Sequence, residues 1–168
     1  SNKMTFTNVN FTNTNASSNG GGLYVNGNAN GIAFDETNFN NVKSTGGSGG
    51  AIYVGGTATN FEFKNSNIIN SSAKTSGSAV YLKGANGVTI KDSVIENYSA
   101  TSNGGVIYIE SNSGNLNMDN VSLNNNGKKL QTTGNGGIVY CGSASKVTVS
   151  NVNFTDTEIS GSSKTGGG

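Results

Sequence analysis

Apolar side chains in this chain come in two short, recurring patterns rather than in long runs. The first is a glycine-led triplet. It reads GGAIYV from Gly49, and it returns as GGLYV from Gly21, GSAVYL from Gly77, GGVIYI from Gly104 and GGIVYC from Gly136. Its tyrosines, Tyr24, Tyr53, Tyr81, Tyr108 and Tyr140, stand at intervals of 29, 28, 27 and 32 residues. The second is apolar-x-apolar-x-Asn-x-x-apolar-x-Asn. It reads MTFTNVNFTN from Met4, IAFDETNFNN from Ile32, FEFKNSNIIN from Phe61, VTIKDSVIEN from Val88, LNMDNVSLNN from Leu116 and VTVSNVNFTD from Val147. Inside both motifs the period is two, the mark of a strand whose alternate side chains face a core. Helical spacing is absent, and the Gly, Asn and Ser connectors form helices poorly.

Each repeat therefore holds three short strands: the triplet, the apolar-x-apolar pair, and a piece ending at Phe11, Phe39, Ile68, Ile95, Leu123 or Phe154. The best match to each strand is the same strand one repeat later, not its neighbour in sequence. This predicts an all-β fold, a parallel β-helix with three short strands per coil, about 28 residues per coil and roughly 5–6 coils. Residues 1–168 form a single β-helix segment on this reading. The final Gly166–Gly168 begins another copy, which suggests a piece of a longer repeat protein. Solenoid ends need polar caps, and neither Ser1–Met4 nor Gly166–Gly168 resembles one. End-to-end association or fraying of the isolated segment is the expectation.

Alternation assigns the faces. Leu23 and Val25 point inward and Tyr24 outward, and likewise in later copies. The residues before the triplets, Ala51, Ala79, Val106 and Ile138, are placed outward beside the tyrosines. Two polar columns mark bends after strands: Asn8, Glu36, Asn65, Asp92, Asn120 and Asn151, and then Asn13, Asn41, Asn70, Asn97, Asn125 and Asp156. Stacked amides at such positions bond to one another and to the turn backbone. Opposite charges one repeat apart, Asp35 with Lys64, Lys91 with Asp119 and Lys83 with Glu110, support the same register.

Composition narrows the function. The chain has 168 residues, 26 of them Gly, with 11 % charged and 32 % apolar residues and no Pro. So small an apolar share suggests disorder, but disorder does not space its apolar triplets. A net charge of +1, with Lys as the only basic residue, removes the case for a nucleic-acid partner. No apolar run is long enough to span a membrane. The lone Cys141 occupies a triplet position filled elsewhere by Val25, Val54, Leu82 and Ile109, and is expected to act as a small core residue.

FTNTNASSNGGGLYV and FNNVKSTGGSGGAIYV resemble the GGA[I/L/V] and FxxN motifs of chlamydial polymorphic outer-membrane protein repeats. The resemblance covers nearly the whole chain, with GGAI at Gly49 to Ile52 as the one full match. It implies a right-handed parallel β-helix of the pectin-lyase-like kind. It also implies adhesion, surface display or passenger secretion, on the cell surface or outside the cell.

The residues themselves argue against catalysis here. There is no His and no Arg. The carboxylates Asp35, Glu36, Glu62, Asp92, Glu96, Glu110, Asp119, Asp156 and Glu158 are scattered, whereas glycosidases need a facing pair. Asp156 and Glu158 stand two apart but have no third partner. No metal-ligand cluster, no calcium nonapeptide and no cofactor motif is present. The chain is read as a non-enzymatic structural or interaction solenoid that spans distance and presents a side face. The rival readings are a non-catalytic part of a polysaccharide-processing β-helix enzyme and a structural component packed inside a larger assembly. The expected partners are neighbouring parts of the parent protein or other proteins, with carbohydrate as a second class.

Two surface features carry that reading. The outward tyrosines form a row able to meet a protein or a sugar; the plainer explanation is that aromatics suit exposed strands and support each other across coils. Six Asn-x-Ser/Thr sequons occur, at Asn10, Asn15, Asn70, Asn97, Asn120 and Asn153. Asn10 and Asn153 occupy equivalent outward sites and are the glycosylation candidates. Asn70, Asn97 and Asn120 are expected to be too buried in their columns.

Overall fold

The structure is a computed structural model that describes residues 3–156 and 158–159. It contains strands and no helix among the described residues. The strands wind into about five coils of a parallel solenoid. Among the described residues all strand pairings are parallel and join one repeat to the next: Tyr24 pairs with Tyr53, Tyr53 with Tyr81, Tyr81 with Tyr108 and Tyr108 with Tyr140. The apolar-x-apolar strands follow the same rule, Val88 lying between Phe61 and Leu116, and Leu116 against Val147. Length differences are taken up in connectors, as between Leu82 and Gly84, where the register slips.

The core is a set of parallel side-chain columns. One runs Phe6, Phe34, Phe63, Ile90, Met118, Val149, and another Phe11, Phe39, Ile68, Ile95, Leu123, Phe154. The aromatic members touch directly: Phe6 stacks on Phe34 at 4.9 Å and Phe11 on Phe39 at 4.5 Å, and Phe34 meets Phe39 edge-on at 5.6 Å. Phe34, Phe39, Phe61 and Phe63 are fully buried. Each large buried side chain contributes roughly 1.5–3 kcal/mol, so thin columns suffice when they repeat.

Ala51, Ala79, Val106 and Ile138 are also buried, which corrects their outward assignment. The cause lies at the corner before each triplet. The N–H groups of Ala51 and Ile52 both donate to the Ala79 carbonyl, at 3.1 and 2.9 Å, and those of Val106 and Ile107 both donate to Ile138 at 3.0 Å. Two successive donors on one acceptor turn the backbone, so two successive side chains enter the core. A further inward column, Ala29, Ala58, Ala85 and Asn112, escaped the motif search because small residues hide among the connectors.

Both bend columns owe their residue types to the backbone. Asn8, Glu36, Asn65, Asp92, Asn120 and Asn151 have φ between 48° and 55°, and Asn13, Asn41, Asn70, Asn97 and Asp156 between 50° and 57°. This left-handed region costs an ordinary residue roughly 1–2 kcal/mol, least for Asn and Asp. Asn125 is the exception. Asn126 takes the left-handed conformation in that coil. Asn125 instead turns inward, accepting from the Tyr98 N–H at 2.9 Å and donating to the Lys128 carbonyl at 2.7 Å. The longer connector of this coil shifts the bend by one residue.

Tyr98 follows the second bend and is 2 % exposed, and its hydroxyl has no hydrogen-bond partner. Burial pushes its ionisation above the usual phenol range. An unpaired buried hydroxyl costs about 1–3 kcal/mol. Tyr98→Phe is therefore expected to stabilise the chain by about 1–2 kcal/mol in urea unfolding; a loss of stability would show that the hydroxyl does hold a partner.

Candidate functional site

Each tyrosine of the outward row is held by a triplet strand whose flanking residues are in the core. The rings stack with centroids 5.3, 4.9, 5.0 and 4.8 Å apart from Tyr24 to Tyr140, and interplanar angles of 10–17°. Stacking at this separation covers the ring faces. Tyr53, Tyr81 and Tyr108, stacked on both sides, present only ring edges and hydroxyls to solvent, whereas Tyr24 at the start of the row is 49 % exposed. The Tyr81 hydroxyl donates to Glu110 at 3.1 Å, and that of Tyr24 donates to Asn26 at 2.9 Å. Desolvation raises the ionisation of Tyr53, Tyr81 and Tyr108; the carboxylate of Glu110 adds to it, at Tyr81 by a direct hydrogen bond. Tyr53, Tyr81 and Tyr108, at the centre of the row, therefore keep their protons as donors throughout the physiological range.

The bend columns form a second surface. Asn41 donates to Asn13 at 2.7 Å, Asn120 to Asp92 at 2.7 Å and Asn126 to Asn97 at 3.0 Å. The first column is less regular than expected: Asn65 donates to Asp35 rather than to Glu36, and Asn151 to Asp119 rather than to Asn120. A further amide ladder, Asn67 to Asn38 to Asn10 at 2.9 and 3.1 Å, lies on the strand between the bends. Asn70 and Asn120 are exposed and Asn97 half-buried, which corrects the expectation of burial. A left-handed residue turns its side chain out at the corner. Asn120 donates through Nδ2 to Asp92 and Asn70 to Asn40, whereas Asn10 and Asn97 only accept. Asn153 is exposed.

An open groove of about 810 Å³ crosses five successive repeats beside the apolar-x-apolar segments at Met4, Ile32, Phe61, Val88 and Leu116. Asn30, Asn60, Asn86, Asn115 and Asn117 line it, and none of their carboxamides takes part in the hydrogen bonds that tie up the ladder amides. Thr5, Thr59 and Thr89 add hydroxyls. No sequence motif marked this groove, because its residues sit in connectors and on outward strand positions.

The acidic residues are mostly committed locally. Glu62 pairs with Lys64 at 3.1 Å, Lys91 reaches Asp119 at 3.8 Å, and Lys129 pairs with Glu158 at 2.7 Å. Asp35 and Lys64 are in register, yet Lys64 turns to Glu62. Glu110, expected opposite Lys83, takes the Tyr81 hydroxyl instead. Asp119 is held below the usual carboxylate range, first by the Ser150 hydroxyl and then by the Asn151 amide. These pairs are exposed, so solvent screens them and they add little to stability. Glu158 is exposed and engaged by Lys129, so it is not paired with Asp156. Cys141 is half-buried against the core, and burial raises its thiol. Among the described residues no three His, Cys, Asp or Glu side chains converge to hold a metal, and no helix is long and apolar enough to cross a membrane.

No curated protein and no solved structure matches the chain significantly. A family model for the right handed beta helix region matches residues 1–168. The match is to the β-helix in general, and nothing in it singles out the polymorphic outer-membrane repeats that the GGAI motif resembles. Its coverage, together with like-on-like parallel pairing from coil to coil, makes the chain a member of the right-handed β-helix family.

Proposed function

We propose that this solenoid is a non-catalytic spacer and display module of a surface or extracellular protein, working through its tyrosine face. The stacked row is the observation that carries this reading. Its ring faces are covered by one another, so it can offer a partner only ring edges and hydroxyl donors. That chemistry suits a protein surface rich in carbonyl and carboxylate acceptors better than a sugar lying flat on an aromatic face. The local pairing of most carboxylates supports a structural role for them. If the protein is exported, Asn10 and Asn153 are the sequons best placed to carry glycans, because both are exposed at equivalent outward strand positions and neither Nδ2 is committed to a ladder.

The groove favours a second reading, contact with a neutral polysaccharide, since its uncommitted amides and hydroxyls match sugar hydroxyls. One experiment separates the two. Beads carrying the chain are layered on the producing organism's cell-surface protein fraction and on a neutral glucan film. Tyr53→Ser, Tyr81→Ser and Tyr108→Ser combined should lower retention on the protein fraction by roughly ten-fold or more, as losing central interface tyrosines does, with far-ultraviolet circular dichroism unchanged. Retention that survives the triple change refutes the tyrosine-face reading. Retention on glucan that is lost with Asn30→Asp, Asn60→Asp and Asn86→Asp would support the groove instead.

A further inference from the structure

The chain contains seven Asn–Gly pairs, at Asn19, Asn26, Asn30, Asn86, Asn103, Asn126 and Asn135. In such a pair the glycine nitrogen can attack the asparagine side chain, provided that its N–H is free and the backbone can rotate. The solenoid ties most of these nitrogens down. Gly20 donates to the Ser48 carbonyl at 3.1 Å, Gly31 to Thr59 at 2.7 Å and Gly104 to Asn135 at 2.9 Å. Gly87 donates to Asn112 Oδ1 at 3.2 Å. The Gly136 nitrogen is not tied in this way, but Asn135 itself is pinned on both sides, its N–H donating to Asn103 Oδ1 at 2.7 Å and its carbonyl accepting from Gly104.

Asn26–Gly27 differs on each count. Gly27 lies in the exposed connector after the first triplet, its N–H has no hydrogen bond, and no atom lies within 4 Å of where its Cβ would be. The Asn26 carboxamide oxygen accepts the Tyr24 hydroxyl at 2.9 Å. That donor polarises the carbonyl and faces the oxygen on which charge gathers during attack. Asn126–Gly127 also has an untied glycine N–H. Its carboxamide, however, is a rung of the amide ladder, donating to Asn97, and its own N–H donates to Asn124 Oδ1.

We infer that Asn26–Gly27 is a self-modifying site, at which the Gly27 nitrogen displaces ammonia from the Asn26 side chain with Tyr24 as a positioning residue. The Gly27 nitrogen gives up its proton to solvent and forms a bond to Asn26 Cγ. The tetrahedral oxyanion is held by the Tyr24 hydroxyl. The Cγ–Nδ2 bond breaks, and ammonia leaves with a proton from water. Water then opens the five-membered imide at either carbonyl, leaving aspartate or isoaspartate at position 26. No oxidant, metal or further reactant is needed. The product places a negative charge at the exposed start of the tyrosine row, where the Tyr24 hydroxyl can still donate to it.

The test is timed incubation of the full chain at mildly alkaline pH, folded and in denaturant, followed by peptide mass mapping and enzymatic methylation of isoaspartate. In the folded chain Asn26 should convert roughly ten-fold faster than Asn30 and Asn86, the scale set by breaking a ladder hydrogen bond first, with Asn126 between them. In denaturant all should react alike. Tyr24→Phe, which keeps the ring, should slow Asn26 roughly five-fold when folded and leave the denatured rate unchanged. A folded rate at Asn26 no higher than at Asn30 and Asn86 overturns the proposal, as does a Tyr24→Phe rate equal to that of the parent.

Discussion

Phe34→Ala is expected to lower the free energy of unfolding by about 3–5 kcal/mol. Phe34 is 1 % exposed and lies at the crossing of two core columns, with ring contacts to Phe6, Phe39, Phe61 and Phe63. Truncation leaves a hole that neighbouring coils cannot close, because their spacing is set by the ladder hydrogen bonds. A solenoid is close to a one-dimensional array, so damage should be greatest in the coils on either side. Urea unfolding gives the size of the loss. Hydrogen exchange should show early opening from Met4 to Lys64, with slower change around Leu116 to Leu123. A uniform loss of protection along the chain would contradict this picture.

Gly50→Ala should cost about 1–3 kcal/mol although it adds a single methyl group; the equivalent position one coil on is the buried Ser78, so this column takes a Cβ only where the coil stacking has adjusted to it. A Cβ at Gly50 would lie 2.0 Å from the Ser78 carbonyl oxygen and 2.5 Å from that of Ser72. Both are backbone atoms fixed in the next coil, so neither can swing aside. Ordinary overpacking costs about 1–3 kcal/mol, and here the strain must be taken by the coil stacking itself. Thermal unfolding of Gly50→Ala beside Gly27→Ala makes the comparison direct. Gly27 has open space and an ordinary φ, so alanine there should be neutral or stabilise by about 0.4–1 kcal/mol through the unfolded chain. Similar melting temperatures for the two variants would show that the coils yield more readily than this packing implies.

The contrast between these glycines bears on how much could be read in advance. Gly49–Gly50 stands out in the sequence because a glycine pair precedes four of the five triplets, Ser78 taking the second place in the remaining copy. The triplet pattern shows that a turn is needed there, but not that Gly50 meets the backbone of the next coil. The bend columns are similar. That Asn65, Asp92 and Asn120 belong to one column is visible from their spacing, since the chain adopts the same left-handed turn in each coil. Which amide bonds which acceptor is not visible, because Asp35 and Asp119 lie on neighbouring positions and compete for the same donors. Asn125 misled for a related reason: spacing counts residues, whereas the bend moved by one when the connector lengthened.

The candidate sites divide along the same line. The tyrosine row follows from period two, because residues between two inward side chains must point out. That its ring faces are closed off is a matter of the separation between coils. The uncommitted amides of the groove and the open Asn26–Gly27 connector were hidden among many chemically identical residues, which differ only in their hydrogen bonding.

By itself the sequence determined the coil length, the parallel like-on-like stacking, the inward and outward faces of regular strands and the positions of the bends. These follow from local backbone preference and side-chain alternation, and repetition prints both in the order of residues. Only the tertiary structure decided the corners, where paired donors on one carbonyl turn Ala51 and Val106 inward. It alone decided which polar groups are spent on one another and which face outward unspent. Those outcomes depend on distances between coils, and residues nearly thirty positions apart in the chain carry no local signal of them.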